Sequence, residues 1–213
     1  MEQGDNMNKG SRDDRWYFSI MAPNIKGEKF SWLDPSPIYS NEDAFFDLLD
    51  DLCEPFSGDE FDLVAGLDAM GFVLGAAIAV RMRKGFLPIR KSGKLCVKTD
   101  IVPFTNYSGR EQEMELRELA FLPRTRVLLV DQWVETGGTM EAGIKLIERQ
   151  NGFVAGIVAI VIEENEKTKR YRSLYKCVSA ILPGSEWQRQ ANRQFFESFD
   201  SYIPDLAFTK VDT

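Results

Sequence analysis

The sequence contains no histidine. Ser–His–Asp and Cys–His catalytic groupings and every histidine-bearing zinc site are therefore excluded. Any acid–base chemistry has to be carried by carboxylate, lysine, tyrosine or cysteine side chains, or by a phosphate of the ligand itself. Cysteine is scarce. Cys53, Cys96 and Cys177 are the only three in 213 residues, and their spacing fits neither a metal site nor a disulfide framework. We read them as small buried apolar residues of a protein in a reducing compartment, which makes the cytoplasm the expected location. No apolar run approaches membrane-spanning length, and MEQGDNMNKGSRDDR at the N-terminus lacks the apolar core of a secretory signal. A basic excess is missing as well. Twenty-six Lys and Arg face 33 Asp and Glu, a net charge of −7, which speaks against nucleic acid as a partner. No membrane partner is expected either.

What is present is ordinary for a globular enzyme-sized domain: 44% hydrophobic and 28% charged residues. Residues 1–15 read as a mobile polar tail. Residues 16–186 read as one domain, and residues 187–213 as an extension. The apolar stripe of that extension (Phe195, Phe196, Phe199, Tyr202) suits packing on the domain or on a second copy. Pro35 and Pro37 predict an extended, helix-free stretch. Ser40 and Asp43 predict a capping box for a helix with Phe45, Leu49, Leu52 and Cys53 on one face. Phe61 to Leu67 reads as a buried strand, followed by a turn at Asp68-Ala69-Met70-Gly71 and a helix to Lys84 with an alanine-rich packing face. Phe86 to Arg90 is a second strand. From about 95 to 118 the pattern alternates, with Glu111, Glu113 and Glu115 opposed to Gln112, Met114 and Leu116, and suggests a hairpin flap. Phe153–Ile162 and Cys177–Leu182 are further strands, separated by a charged helix within Glu163–Leu174. Strands alternating with helices predict an α/β fold, a doubly wound and mostly parallel sheet with a small flap or hood. Such sheets bind ligands beyond the carboxyl ends of their strands. Asp68, Lys91 and Asp131 each follow a predicted strand, so three segments should meet at one rim.

The most informative stretch is VLLVDQWVETGGTM, residues 127–140. Four apolar residues lead to Asp131, then to Glu135-Thr136-Gly137-Gly138-Thr139, then to an amphipathic helix with Met140, Ile144 and Ile147 inward. Glycines let backbone N–H groups approach an anion, and a helix N-terminus adds donors and the positive end of its dipole. The pattern predicts a monophosphate cradle at Thr136–Thr139, with Asp131 accepting hydrogen bonds from ribose hydroxyls.

With these residues in view, the chain resembles the type I phosphoribosyltransferases, and within them the adenine phosphoribosyltransferases, over about residues 30–185. The resemblance rests on Asp34-Pro35-Ser36-Pro37, on Val64-Ala65-Gly66-Leu67-Asp68-Ala69-Met70-Gly71-Phe72, on Pro88-Ile89-Arg90-Lys91-Ser92-Gly93-Lys94-Leu95, and on the 127–140 loop. It implies transfer of phosphoribose from PRPP to a purine base, with Mg²⁺ held mainly by ligand and water rather than by protein side chains, and a homodimer. Carried over residue by residue, it implies a 5′-phosphate site at Glu135, Thr136, Gly137, Gly138 and Thr139, and ribose contacts at Asp131 and Gln132. Pyrophosphate contacts fall at Asp68, Ala69, Met70, Lys91 and Lys94, with Arg90 beside them, and base contacts at Trp32, Leu33 and Ile181. Asp131 and Glu111 are the candidate catalytic residues, Glu111 for the base proton. Four positions depart from the family pattern. Gln132 replaces a second acid, Glu135 replaces an alanine, Met70 replaces an arginine, and Tyr107-Ser108-Gly109-Arg110 aligns with a Glu-Tyr-Gly flap motif. Two readings follow: an adenine-type purine salvage enzyme acting on small-molecule substrates, or a catalytically impaired PRPP- or nucleotide-binding protein acting as a sensor or interaction partner.

Overall fold

The computed structural model describes residues 16–23, 33–58, 60–106, 108–181 and 184. The expected tail, Trp32, Tyr107 and the 187–213 extension lie outside the described residues. The chain comprises two compact units, Met1–Leu48 with Ala191–Thr213, and Leu49–Gln190.

In the first unit a 3₁₀ helix, Trp16–Ile20, buries Tyr17, Phe18 and Ile20. Strands β1 (Ala22–Pro23) and β2 (Leu33–Asp34) pair antiparallel. The stretch expected to be helix-free turns into the one-turn helix α1 (Ser36–Ser40). Pro37 sits in its first turn, where the missing N–H has no intrahelical partner to lose. Asp34 starts the turn by accepting hydrogen bonds from Ser36 N (2.9 Å) and Ser36 Oγ (2.6 Å). Helix α2 (Glu42–Cys53) begins in this unit and ends in the second. Its cap is not the predicted Ser40–Asp43 pair. Ser40 is used up as the last residue of α1, and Asn41 Oδ1 accepts from Ala44 N at 2.9 Å instead. Of the expected inward face, Leu49, Leu52 and Cys53 are buried, and Phe45 is half-buried.

The second unit holds β3 (Leu63–Leu67), α3 (Met70–Arg81), β4 (Gly85–Lys91), β5 (Thr99–Thr105), β6 (Glu111–Arg117) and β7 (Arg126–Val130). It continues with β8 (Trp133–Val134), α4 (Gly138–Arg149), β9 (Phe153–Ile162), α5 (Glu166–Leu174) and β10 (Lys176–Ile181). The eight-stranded sheet has the order β10-β9-β7-β3-β4-β6-β5, with β8 pairing β9 off this path. Pairs β10–β9, β9–β7, β7–β3 and β3–β4 are parallel. The predicted mostly parallel α/β sheet is thus observed. β7 and β9 are near-continuous apolar runs because both faces of a parallel sheet are covered. Helix α3 packs through Gly71, Leu74, Gly75, Ile78 and Ala79, a glycine and aliphatic face rather than the alanine-rich one expected. The glycines let the helix backbone come close to the sheet.

From β3 the chain first adds β4 on one side and later β7 on the other. The carboxyl ends of β3 and β7 therefore flank a topological switch point, where crevices form in open sheets. The flap is a hairpin of β5 and β6, which pair antiparallel, and β6 in turn runs antiparallel to β4. Lys91, the last residue of β4, pairs with Met114, so residues 103–106 and 108–113 overshoot the end of β4 and stand above the rim.

One flap residue breaks the expected alternation. Glu115 is buried (2% exposed), although the alternation groups it with the outward glutamates. It accepts hydrogen bonds from Lys94 N and Leu95 N, both at 2.7 Å. Burial pushes its pKa up, but the amides of Leu95, Lys94 and Gly93 and the Thr99 side chain together hold it below the usual value. A depressed carboxylate stabilises the fold above its unfolded pKa, and that contribution is lost as pH falls through the folded value. Glu115→Ala is therefore expected to lower unfolding stability in urea by about 2–3 kcal/mol at pH 7. The difference from wild type should shrink towards pH 3. A gap as large at pH 3 as at pH 7 would contradict the role of the ionised carboxylate.

Candidate active site

Two strand ends build the centre of the site. The β3–α3 turn carries Asp68, Ala69 and Met70, and the Asp68–Ala69 peptide is cis. The turn lies against the tip of β7, because a Cβ on Gly71 would sit 2.6 Å from Val130 O and 3.1 Å from Asp131 Cα. No side chain fits there, so glycine at 71 is what lets the expected pyrophosphate turn approach Asp131. Asp131 Oδ1 accepts from Gln132 N at 2.7 Å. Burial raises its pKa from an ordinary 3.8 to about 7, and the Gln132 amide offsets only part of that.

On the other flank, β4 delivers Arg90 and Lys91. Asp68 Oδ2 lies 3.4 Å from Lys91 N and 3.6 Å from Arg90 Nε. Arg90 Nε is buried without a hydrogen-bond partner among the described residues, while Arg90 Nη1 donates to Lys94 O at 3.3 Å. Glu115 fixes the Lys94–Leu95 backbone from below. The side chains of Lys91 and Lys94 are exposed. Lys91, Ser92, Pro103, Glu111, Gln112 and Glu113 line a groove of about 510 Å³ between the end of β4 and the hairpin. Candidate pyrophosphate and base-proton residues, Lys91 and Glu111, thus share one groove.

The Thr136–Thr139 segment enters α4 as expected. Gly137 is the N-cap residue, with φ +80° and ψ 2°. This left-handed conformation favours glycine. Gly138 follows it, and a Cβ there would lie 2.2 Å from Thr105 O, at the end of β5. The flap and the loop therefore touch through backbone. The first-turn N–H groups of α4 have no intrahelical acceptors, and such a helix end suits an anion. Glu135 is half-buried. Burial first, and then the charge of Glu163, raise its pKa from 4.5 to about 7.

Trp32 lies outside the described residues, and of Leu33 only the backbone in β2 is described. The Ile181 side chain is 1% exposed in β10, so a contact at that position would come from the strand-end backbone. The described residues contain no cluster of three or more His, Cys, Asp or Glu that could hold a metal. Mg²⁺ needs only one or two carboxylates when phosphates and waters complete its shell. Asp131 and Asp68 at the rim fit a metal that arrives with its ligand.

The profile of the Phosphoribosyl transferase domain family matches residues 39–193. An adenine phosphoribosyltransferase of Cereibacter sphaeroides is 44% identical over 128 residues, 60% of this chain and 71% of the relative. One from Thermotoga petrophila is 36% identical over 153 residues, 70% of this chain and 89% of the relative. The chain belongs to the phosphoribosyltransferase family, on its adenine phosphoribosyltransferase side. Solved structures agree. An adenine phosphoribosyltransferase from Thermoanaerobacter pseudethanolicus superposes with a TM-score of 0.71 at 28% identity, covering 76% of this chain and 95% of that one. The Saccharomyces cerevisiae enzyme, solved with D-2,5-dideoxy-2,5-imino-altritol 1,6-bisphosphate and adenine, superposes at 0.66 and 25% identity, covering 76% and 93%. This family membership favours an enzyme over the binding-only alternative.

Within this phosphoribosyltransferase fold, sequence reading overlooks the residues that brace the site. Asn165 and Tyr171 reach the Glu135–Thr139 loop from α5 and its cap. Trp133 Nε1 donates to Glu163 Oε1 at 2.7 Å and ties β8 to the end of β9. The Asn165-x-x-Thr168 cap is visible as a pattern, but its second use against the loop is not.

Proposed function

We propose that this protein transfers the 5-phosphoribosyl group of PRPP to adenine, giving AMP and pyrophosphate, as a purine salvage enzyme. The observation that carries the reading is the Asp131-to-Thr139 loop at the switch point of a sheet whose relatives are adenine phosphoribosyltransferases. The bond from ribose C1′ to the pyrophosphate oxygen breaks, the bond from C1′ to a purine nitrogen forms, and the proton of that nitrogen leaves. Thr136, Gly137, Gly138 and Thr139 hold the 5′-phosphate, and the Glu135 backbone enters the same turn. Asp131, with Gln132 beside it, accepts hydrogen bonds from the ribose hydroxyls. Asp68, Ala69 and Met70 present the β3–α3 turn to the pyrophosphate, with Lys91 and Lys94 supplying positive charge in place of an arginine at 70. Glu111 stands in the groove as the acceptor for the base proton. Family resemblance alone assigns the base to Trp32, Leu33 and Ile181. Magnesium arriving with PRPP, held mainly by ligand and water beside Asp131 and Asp68, would supply charge neutralisation for the pyrophosphate. Holding the reactants in line and keeping water out is the protein's contribution.

The same reading takes the protein as a cytoplasmic homodimer. Among the described residues no helix is long and apolar enough to cross a membrane. The test is direct. Purified protein with PRPP and Mg²⁺ is expected to release pyrophosphate with adenine, and less or none with hypoxanthine or guanine. PRPP and AMP should each raise the melting temperature. Stabilisation without turnover on any base would instead support the binding-only alternative.

A further inference from the structure

Three contacts from one distant segment converge on the phosphate loop. Asn165 Nδ2 donates to Glu135 O at 2.7 Å. Tyr171 Oη donates to Gly137 O at 2.8 Å, and this bond is buried. The stem of Lys167 lies across Gly137, close enough that a Cβ there would meet its Cδ at 3.0 Å. The carbonyls on either side of Thr136 are thus held by side chains 30 and 34 positions further along the chain. Gly137 O also accepts from Glu141 N at 2.9 Å, so Tyr171 adds a second bond to the carbonyl that opens α4.

The brace is itself fixed. Asn165 caps α5, its Oδ1 accepting from Lys167 N and Thr168 N at 3.0 Å each, while Thr168 Oγ1 accepts from Asn165 N at 3.0 Å. One amide side chain therefore starts α5 with its oxygen and holds the loop with its nitrogen. Burial pushes the Tyr171 hydroxyl well above the usual phenol range, so it remains a donor at any working pH.

An anion cradle made of backbone N–H groups works only when those groups already point at the anion, since ordering them at the moment of binding costs affinity. Resting on the PRPP-transfer reading above, we infer that Asn165 and Tyr171 are positioning residues that pre-form the 5′-phosphate cradle. They act through the Glu135 and Gly137 carbonyls and touch no substrate. The brace reaches only the phosphate half of the site, so its loss should be felt by ligands carrying a 5′-phosphate and not by the base.

Two substitutions separate this from general support. Tyr171→Phe removes one hydroxyl. Asn165→Ser keeps an oxygen able to cap α5 and deletes the donor to Glu135 O without adding charge. Each is expected to raise the KM for PRPP and the Kd for AMP about five- to tenfold, as the loss of one net hydrogen bond allows. The KM for adenine should be unchanged and kcat within about twofold. A PRPP KM equal to wild type in both variants would overturn the inference. Equal losses on PRPP and adenine, accompanied by a large fall in melting temperature, would overturn it too, by making α5 a general support. A wild-type protein that neither turns over nor is stabilised by PRPP would refute the transferase reading itself, a result distinct from either.

Discussion

Asp131→Asn is expected to lower kcat/KM for PRPP by about 100- to 1,000-fold while making the free protein more stable at pH 8. The activity loss follows from replacing a charged acceptor of ribose hydroxyls with an amide, since each hydrogen bond to a charged group is worth about 1.5–3 kcal/mol. The gain in stability has a separate cause. Burial raises the Asp131 pKa to about 7, so the folded protein binds a proton that the unfolded chain releases near 3.8. Between those values the folded state holds more protons, and its stability falls as pH rises. Above pH 7 the full penalty of desolvating the ionised form is in place. The asparagine variant lacks it, and its melting temperature should exceed wild type at pH 8 by roughly 5 °C but match it near pH 4. The amide oxygen introduced by Asp131→Asn can still accept from Gln132 N, so the backbone there has no reason to move. The ionised carboxylate is the stronger acceptor for ribose hydroxyls, so the wild-type KM for PRPP should improve as pH rises through about 7. A variant with wild-type PRPP kinetics, or one less stable at pH 8, would remove Asp131 from the proposed ribose site.

Gly138→Ala is expected to damage PRPP binding severely. Its Cβ would fall 2.2 Å from Thr105 O. That atom is backbone at the end of β5, in register with Glu111, so it cannot swing aside as a side chain would. Either the first turn of α4 or the base of the flap must shift, at an overpacking cost of about 1–3 kcal/mol. Both movements would spoil the proposed phosphate cradle, and the KM for PRPP should rise at least about 100-fold, since misplacement of this order costs that much. Gly137→Ala makes a useful contrast. Its positive φ costs a side chain about 1–2 kcal/mol, and one neighbour it would press is the flexible stem of Lys167. The structure therefore orders the two, with Gly138 the worse. PRPP titrations followed by melting temperature would show the order, and the reverse would mean that the flap contact does not constrain the loop.

Much of this protein is legible in its sequence, because local rules govern those parts. Val127–Val130, Phe153–Ile162 and the helix from Gly138 with Met140, Ile144 and Ile147 inward show burial and period directly in residue type. The 127–140 stretch needs nothing distant to announce a strand, a glycine turn and a helix N-terminus. Sequence reading goes astray where two local signals compete. Pro37 reads as a helix breaker but sits harmlessly in a first turn. Ser40 and Asn41 are both good caps, and only the preceding helix decides between them. Glu115 has the charge and alternation of a surface strand residue, yet faces inward because the Lys94–Leu95 amides need an acceptor.

The sequence by itself determined the loop and the order of the strands along the chain. It could not determine which strand ends become neighbours. That is a property of the sheet, where β7 joins β3 on the side away from β4 and so brings Asp131 against Gly71. Nor could it show that β5 closes on Gly138, or that Asn165 and Tyr171 hold the carbonyls of Glu135 and Gly137. Those contacts join segments 30 or more residues apart through single hydrogen bonds and single missing methyls. Periodicity carries no record of such pairs, because each partner looks locally like an ordinary cap, core tyrosine or turn glycine until the chain has folded.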